Sequence, residues 1–191
     1  MALAIRRSCC EQNTKEKRVK MEKVRIYTDG ACLVNPGKGG YAAILVRGER
    51  RDEISGGYEH TTNNRMELMA CIKGLEALEQ PCEVTITSDS KYVVDGMSMG
   101  WAKKWQNNNW KLSDNKRAKN IDLWQEILRL AEKHVVNFVW VRAHDGHPEN
   151  ERCDQLANEA ASGPFLAVDF GYKSNYLSHA GFNELPEMAG C

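Results

Sequence analysis

"VRIYTDGACLVNPGKGGYAAIL", residues 24–45, carries an apolar, β-branched run into Asp29-Gly30 and then into a loop of Asn, Pro and glycine before the apolar residues resume. Val24–Thr28 reads as a strand, and Gly40–Arg47 and Arg51–Tyr58 as two more. The turn-like Gly48-Glu49 between the latter two makes a hairpin meander. Asp before Gly is ordinary turn chemistry, because Asp bonds its local backbone and Gly supplies positive φ. Asp29 is therefore either turn punctuation or a chemical group at a strand end, and the remaining sequence has to decide between them.

Beyond the meander the period changes. From Thr62 to Glu79, Leu68, Cys71, Ile72, Leu75 and Leu78 recur every three or four positions, which predicts a helix. Glu83–Thr87 is a short strand ending at Ser88-Asp89-Ser90, residues that also cap helices well. A helix over about Ser90–Gly96 is followed by a polar stretch containing tryptophans. Ile121–Lys133 reads as a helix, Val135–Val141 as a strand and Pro148–Ala161 as a last helix, with Pro where a first turn accepts it. Three strands, a helix, a strand, helices, a strand and a helix predict an α/β fold, a mixed sheet covered by helices.

Bulk properties bound the function. The 191 residues fit one domain with tails, and the formal net charge of zero argues against a general polyanion binder. Any nucleic-acid function must rest on a local patch. No apolar run approaches the ~20 residues of a membrane span, so a soluble, cytoplasmic chain without a membrane partner is expected. The seven cysteines are irregularly spaced and form no CxxC pair, which indicates neither a zinc knuckle nor a disulfide framework. Cys32, Cys71, Cys82 and Cys153 are expected to be reduced core residues. Residues 1–23 carry seven Lys/Arg against three Glu and read as a basic, disordered arm. Arg6, Arg7 and Ser8 fit a transit peptide weakly, and Met21 is a candidate start. The domain is expected over 24–162, with a loosely structured tail over 163–191.

Four carboxylates occupy unusual places. Asp29 closes the first strand and Asp89 the fourth, so parallel neighbours would bring both to one crevice at their carboxyl ends. Glu67 shares a helical face with small and apolar residues, and Asp154 follows Cys153 in the last helix. Each has a plainer reading. Asn64 and Glu67 fit a capping pair, Asp89 a helix cap, and Asp154 a charge favoured by the helix dipole. If the four converge, like charges 4 Å apart repel by about 4 kcal/mol at an effective dielectric of 20. Such a cluster shifts its pKa values or recruits hard divalent cations, chiefly Mg²⁺.

"YTDGACLVNPGKGGYAAIL", "TTNNRMELMA", "TSDSKYVVDG" and "HDGHPENERCDQLA" stand in order across Val24–Ala161. Together they resemble ribonuclease H of type 1, in its bacterial form. The resemblance implies a five-stranded mixed sheet flanked by helices, and a metal site of Asp29, Glu67, Asp89 and Asp154. It implies an endonuclease that cuts the RNA strand of RNA–DNA hybrids with two Mg²⁺ ions, Mn²⁺ being a substitute, and leaves 5′-phosphate and 3′-hydroxyl ends. No obligate protein partner is implied, and a monomer is the default. His144 matches the family's mobile histidine, which helps proton transfer or product departure. It stands in Ala143-His144-Asp145, where the familiar pattern is Gly-His-Ala.

The same resemblance assigns substrate contacts. Asn35, Asn63 and Asn64 match positions that touch both strands near the cut, where amides can read a minor groove and the 2′-OH. Thr62 and Asn120 match a DNA-phosphate pocket, with His60 standing where Arg is common. Lys91 replaces the usual Gln. Gly100–Asn120 holds six Lys/Arg against one Asp, interleaved with Trp101, Trp105 and Trp110, and matches the basic handle that grips the DNA strand. Trp101 and Trp105, at i and i+4, either share an exposed face for sugars and bases or bury their rings in the core. Lys103 and Lys104 remain where Gln106-Asn107-Asn108 replaces a dense basic triplet, so a weaker grip is expected.

Two other classes compete. A non-catalytic hybrid-binding module gains nothing from clustered negative charge beside phosphates. A transposase or integrase core would lack the pairing of an Asn-rich helix start with a Trp-Lys handle.

Overall fold

The computed structural model describes residues 21–172. The arm up to residue 20 and the stretch from 173, with Cys9, Cys10 and Cys191, lie outside the described residues. The elements in order are β1 (Glu22–Cys32), β2 (Gly37–Arg47), β3 (Arg50–Thr61), α1 (Asn63–Glu76), β4 (Cys82–Ser88) and α2 (Lys91–Ser98). They continue with α3 (Trp101–Asn107), α4 (Ile121–Ala131), β5 (Val135–Trp140), α5 (Pro148–Ser162) and β6 (Leu166–Ala167). The expected five strands are present, and β6 adds a sixth to a mixed sheet of order β5-β4-β1-β2-β3-β6.

The sheet is mixed for a local reason. β1, β2 and β3 are joined by short turns and pair antiparallel, whereas β4 and β5 arrive through helices and pair parallel. Along β2 the side chains alternate between the two layers. Ala43 and Leu45 join Val24, Ile26, Leu68, Leu75, Ile86 and Trp124 under α1 and α4. Ala42 and Ile44 join Cys153, Leu156 and Ala157 under α5. Burial on both faces explains why Ala42–Leu45 is uninterrupted apolar sequence. Cys32, Cys71, Cys82 and Cys153 are free thiols. No helix among the described residues is long and apolar enough to cross a membrane.

Two expectations change at the ends of the domain. Glu22 and Lys23, assigned to the arm, belong to β1 and pair with Cys82 and Glu83. The expected loose tail is docked as far as Tyr172. Leu166 and Ala167 pair with Gly57 and Tyr58 of β3, and Asp169 is buried against Arg65. The tail contains Gly, Pro, Asn and Ser and shows no clear period. What holds it is the short pairing with β3 and a carboxylate that meets a distant cation.

That contact carries a stability prediction. Burial alone would raise the Asp169 carboxyl, but donors from Arg65, Thr61 and the Tyr172 backbone hold it below the ordinary carboxylate range. A carboxyl depressed in the folded state contributes stability that is present above its unfolded pKa and lost as pH falls through the folded value. Acid unfolding monitored by circular dichroism should therefore show a loss of stability below the ordinary carboxylate range that Asp169→Asn lacks. Identical acid profiles for the two proteins would remove Asp169 from the account.

Candidate functional site

Strand register brings the first two acids together. Thr28 of β1 pairs with Ser88 of β4 as the last residues of a parallel ladder. Asp29 and Asp89 are the next residue on each chain, so they leave the ladder side by side at its carboxyl end. Glu67 is delivered from above by the second turn of α1. Gly30 permits the approach, since a Cβ there would overlap the backbone nitrogen of Glu67. Among the described residues, one oxygen from each of Asp29, Glu67 and Asp89 lies within 4.8 Å of the others.

These acids are not solvated turn residues. Asp29 is 6% exposed and Glu67 5% exposed. Burial, then the charges of Asp89 and Asp154, push the Asp29 carboxyl up to about 8, against the opposing Gly30 N–H that donates to its Oδ1 at 2.7 Å. Burial, then Asp29 and Asp89, likewise drive Glu67 well above the usual range. Glu67 Oε1 accepts a long bond from Asn63 Nδ2 at 3.4 Å, while its Oε2 is buried with no partner. The capping pair of Asn64 and Glu67 does not form. Thr62 stands at the N-cap without a side-chain bond, and the Glu67 carboxylate is turned toward the other acids instead.

Asp154 lies outside the group of three. Its Oδ1 accepts from Asn158 Nδ2 at 2.9 Å, and its charge still reaches Asp29. His144 stands exposed on the β5–α5 loop at φ 53, with no hydrogen bond to the acids. Within the same loop, Gly146 N–H donates to Glu151 Oε1 at 3.2 Å.

The remaining candidates divide. Asn35 Oδ1 accepts the Asn63 N–H at 3.3 Å, tying the glycine loop to the start of α1, with Asn64 exposed beside it. Asn120 precedes α4 in the left-handed region at φ 57 and donates to Tyr92 Oη at 3.3 Å. Lys91 lies 4.7 Å from the Trp140 ring centroid, a cation–π contact. Trp101 is exposed, but Trp105 is half-buried, its ring edge-on to Trp124 at 5.7 Å. The two tryptophans thus do not share one exposed face, because the i+4 position of this short helix turns toward the core. Lys103 is paired with Glu132 at 3.1 Å, and Lys104 is exposed.

Sequence reading missed Asn150. It is 3% exposed, donates from Nδ2 to Asp89 Oδ2 at 3.2 Å, and leaves its buried Oδ1 without a partner. The signal existed: Asn150, Cys153, Ala157 and Ala161 form one buried stripe of α5, and a polar residue on such a stripe needs a partner.

The donor set fits a hard divalent cation: carboxylate oxygens only, gathered closer than their charges allow, one of them buried and unpartnered. Comparison with known proteins gives the family. Residues 21–162 match the RNase H family model. The chain is 54% identical over 151 residues to a ribonuclease H of Syntrophus aciditrophicus, covering 79% of this chain and 87% of that one. Among solved structures it resembles LC9-RNase H1, described as a type 1 RNase H with the type 2 active-site motif. That likeness has a TM-score of 0.69, 30% identity, and coverage of 86% of this chain and 84% of that one. It also resembles LC11-RNase H1 solved in complex with an RNA/DNA hybrid, with a TM-score of 0.56, 26% identity, and coverage of 73% and 96%. Since the family match runs through every strand and helix that carries the acid cluster, the chain belongs to the RNase H family.

Proposed function

We propose that the chain is a divalent-metal-dependent endonuclease that hydrolyses the RNA strand of RNA–DNA hybrids, leaving 5′-phosphate and 3′-hydroxyl ends. The observation that carries this reading is the buried acid cluster at the carboxyl ends of β1 and β4. Asp29, Glu67 and Asp89 would hold the cations, with Asp154 as a further ligand on the α5 side. Mg²⁺ is the proposed ion, two per site, with Mn²⁺ as substitute. When bound, a pair of such ions supplies a nucleophile at neutral pH and charge stabilisation for the departing oxygen.

The chain's own residues do the rest. Asp29 and Glu67 are held protonated or charge-strained until a cation replaces the proton. His144, exposed on the β5–α5 loop, carries a proton at an imidazole nitrogen toward the leaving oxygen or assists product departure. Asn35, Asn63 and Asn64 present amides to the minor groove, where a 2′-OH distinguishes RNA from DNA. Thr62 and Asn120, with His60 and Lys91 nearby in role, take DNA phosphates, and Trp101, Lys103 and Lys104 grip the DNA strand, with Trp105 supporting α3 from the core side. The protein is proposed to act as a monomer in the cytoplasm, which sedimentation and cell fractionation test separately.

The deciding assay compares matched RNA–DNA, RNA–RNA and DNA–DNA duplexes with Mg²⁺ and with chelator. Cleavage confined to the hybrid and abolished by chelator is expected. Tight hybrid binding without cleavage would replace the proposal with a binding module.

Two smaller effects follow. Removing Lys103 and Lys104 together should flatten the salt dependence of hybrid binding by at most about 2, at ~0.9 per phosphate contact. Because Lys103 is already engaged by Glu132, Lys104→Ala alone should produce most of that change, and an unchanged slope in the double variant removes both from the interface. Asn150→Ala, by freeing the Asp89 carboxylate, should weaken Mg²⁺ affinity about tenfold, the low end for residues that orient a ligand. Calorimetric titration with the cation alone measures it, and an unaltered isotherm would make Asn150 a packing residue only.

A further inference from the structure

Beside the start of α1 lies an ion cluster that the proposed chemistry does not use. Arg65 is 1% exposed. Its Nε and Nη2 donate to Asp169 Oδ2 and Oδ1, both at 2.7 Å. Its Nη1 and Nη2 donate to Asp122 Oδ1 and Oδ2 at 2.9 and 2.6 Å. One guanidinium is thus held by two bidentate carboxylates, the geometry that fixes orientation as well as position.

The two acids come from different parts of the chain. Asp122 lies in the first turn of α4. Asp169 is 5% exposed and belongs to the segment after α5, beyond residue 162 where the family match ends. The same carboxylate accepts from Thr61 Oγ1 at 2.6 Å and from the Tyr172 N–H at 3.0 Å. Gly171 closes over the pair, since a Cβ there would overlap the Asp122 carboxylate and the Arg65 guanidinium. β6 fastens the other end of the segment to the edge of β3.

What this cluster holds is the pair of helix starts. Thr62 follows Thr61 and caps α1, its carbonyl accepting the N–H groups of Arg65 and Met66 at 3.0 and 3.1 Å. Asn120 immediately precedes α4. Arg65 therefore spans the two backbone positions assigned above to phosphate of the DNA strand. Taking away Asp169 would leave a buried cation with half its counter-charge, and α1 free to shift against α4.

We propose that residues 163–172 form a latch that sets the substrate-binding edge, with Asp169 a positioning residue acting through Arg65 on Thr62 and Asn120. The inference rests on the function proposed above. The test uses the full chain and Asp169→Asn, with steady-state kinetics on an RNA–DNA hybrid well below the variant's unfolding temperature. A rise in KM of about tenfold is expected, equivalent to about 1.4 kcal/mol, with kcat and the Mg²⁺ half-saturation point unchanged. A folded variant with unchanged KM, or one in which kcat falls in step with affinity, overturns the latch, since a merely structural role would lower only the unfolding temperature. Should Asp169→Asn not fold, Thr61→Val removes a single buried bond to the same carboxylate. There a KM rise of about threefold is expected, on the same affinity scale, and none would overturn the idea. If the unaltered protein fails to cut the hybrid, the proposed function falls instead. Hybrid binding in chelator, compared between the two proteins, then still reads the latch: weaker binding by Asp169→Asn supports it, and equal binding overturns it.

Discussion

Asp29→Asn is expected to lower hybrid hydrolysis at saturating Mg²⁺ by about 10³-fold, equivalent to about 4 kcal/mol at 1.36 kcal/mol per decade. The size follows from position. Asp29 is the acid on which the others converge: it leaves the β1–β4 ladder beside Asp89, faces Glu67, and feels Asp154 from α5. An amide keeps the shape and the bond from Gly30 in part but removes the charge, so the cluster loses its central anion without losing its packing. Hybrid binding in chelator should be unchanged at neutral pH, because the cation-free Asp29 carboxyl already keeps its proton there. Activity within tenfold of the unaltered protein would show that Asp29 is a structural residue of β1 only.

The second large effect runs opposite in sign, on stability. Two buried acids and a half-buried third this close are a strain on the cation-free fold, and about 4 kcal/mol of repulsion per pair sets the scale at 4 Å and an effective dielectric of 20. The folded Asp29 carboxyl keeps its proton up to about 8, whereas its ordinary value is 3.8. Between those values the folded state binds more protons than the unfolded chain. The slope of unfolding free energy with pH is then negative, and the cation-free protein loses stability as pH rises through this window. Asp29→Asn should abolish the Asp29 share of that slope, leaving the share that burial of Glu67 contributes, and raise the cation-free unfolding temperature at neutral pH. For the unaltered protein, Mg²⁺ at about 100 times its dissociation constant adds about 2.7 kcal/mol. That corresponds to roughly 5–10 °C at the 2–4 °C per kcal/mol typical of this size. In Asp29→Asn the increment should be small. Differential scanning calorimetry at several pH values, with Mg²⁺ and with chelator, reads both parts. An Asp29→Asn protein that melts lower than the unaltered one in chelator would refute the strain argument.

Much of the architecture is legible in the sequence. The alternation and period changes placed each of the long strands and helices within a few residues, since amphipathic segments can bury their apolar side in only one periodicity. The weak points were boundaries and polar partners. β1 begins two residues before the expected Val24 and runs on to Cys32, because the ladder with β2 continues past Asp29 regardless of side-chain polarity. Trp105 could have faced either way on an i, i+4 pattern, and the presence of Trp124 on a distant helix settled it. The resemblance across four motifs named Asp29, Glu67, Asp89 and Asp154 together. The structure gathers the first three within 4.8 Å and sets Asp154 to one side, held by Asn158.

By itself the sequence determined where the chain extends and where it coils into helices, because those follow from periodicity and local backbone chemistry. Only the tertiary structure decided that Asn150 reaches Asp89, that Glu67 keeps one oxygen unpartnered, and that Asp169 crosses 104 residues of chain to clamp Arg65. A charge or amide carries no mark of its partner in the sequence. Its burial is tolerable only when a complementary group from elsewhere meets it, and that meeting is fixed by how the layers pack.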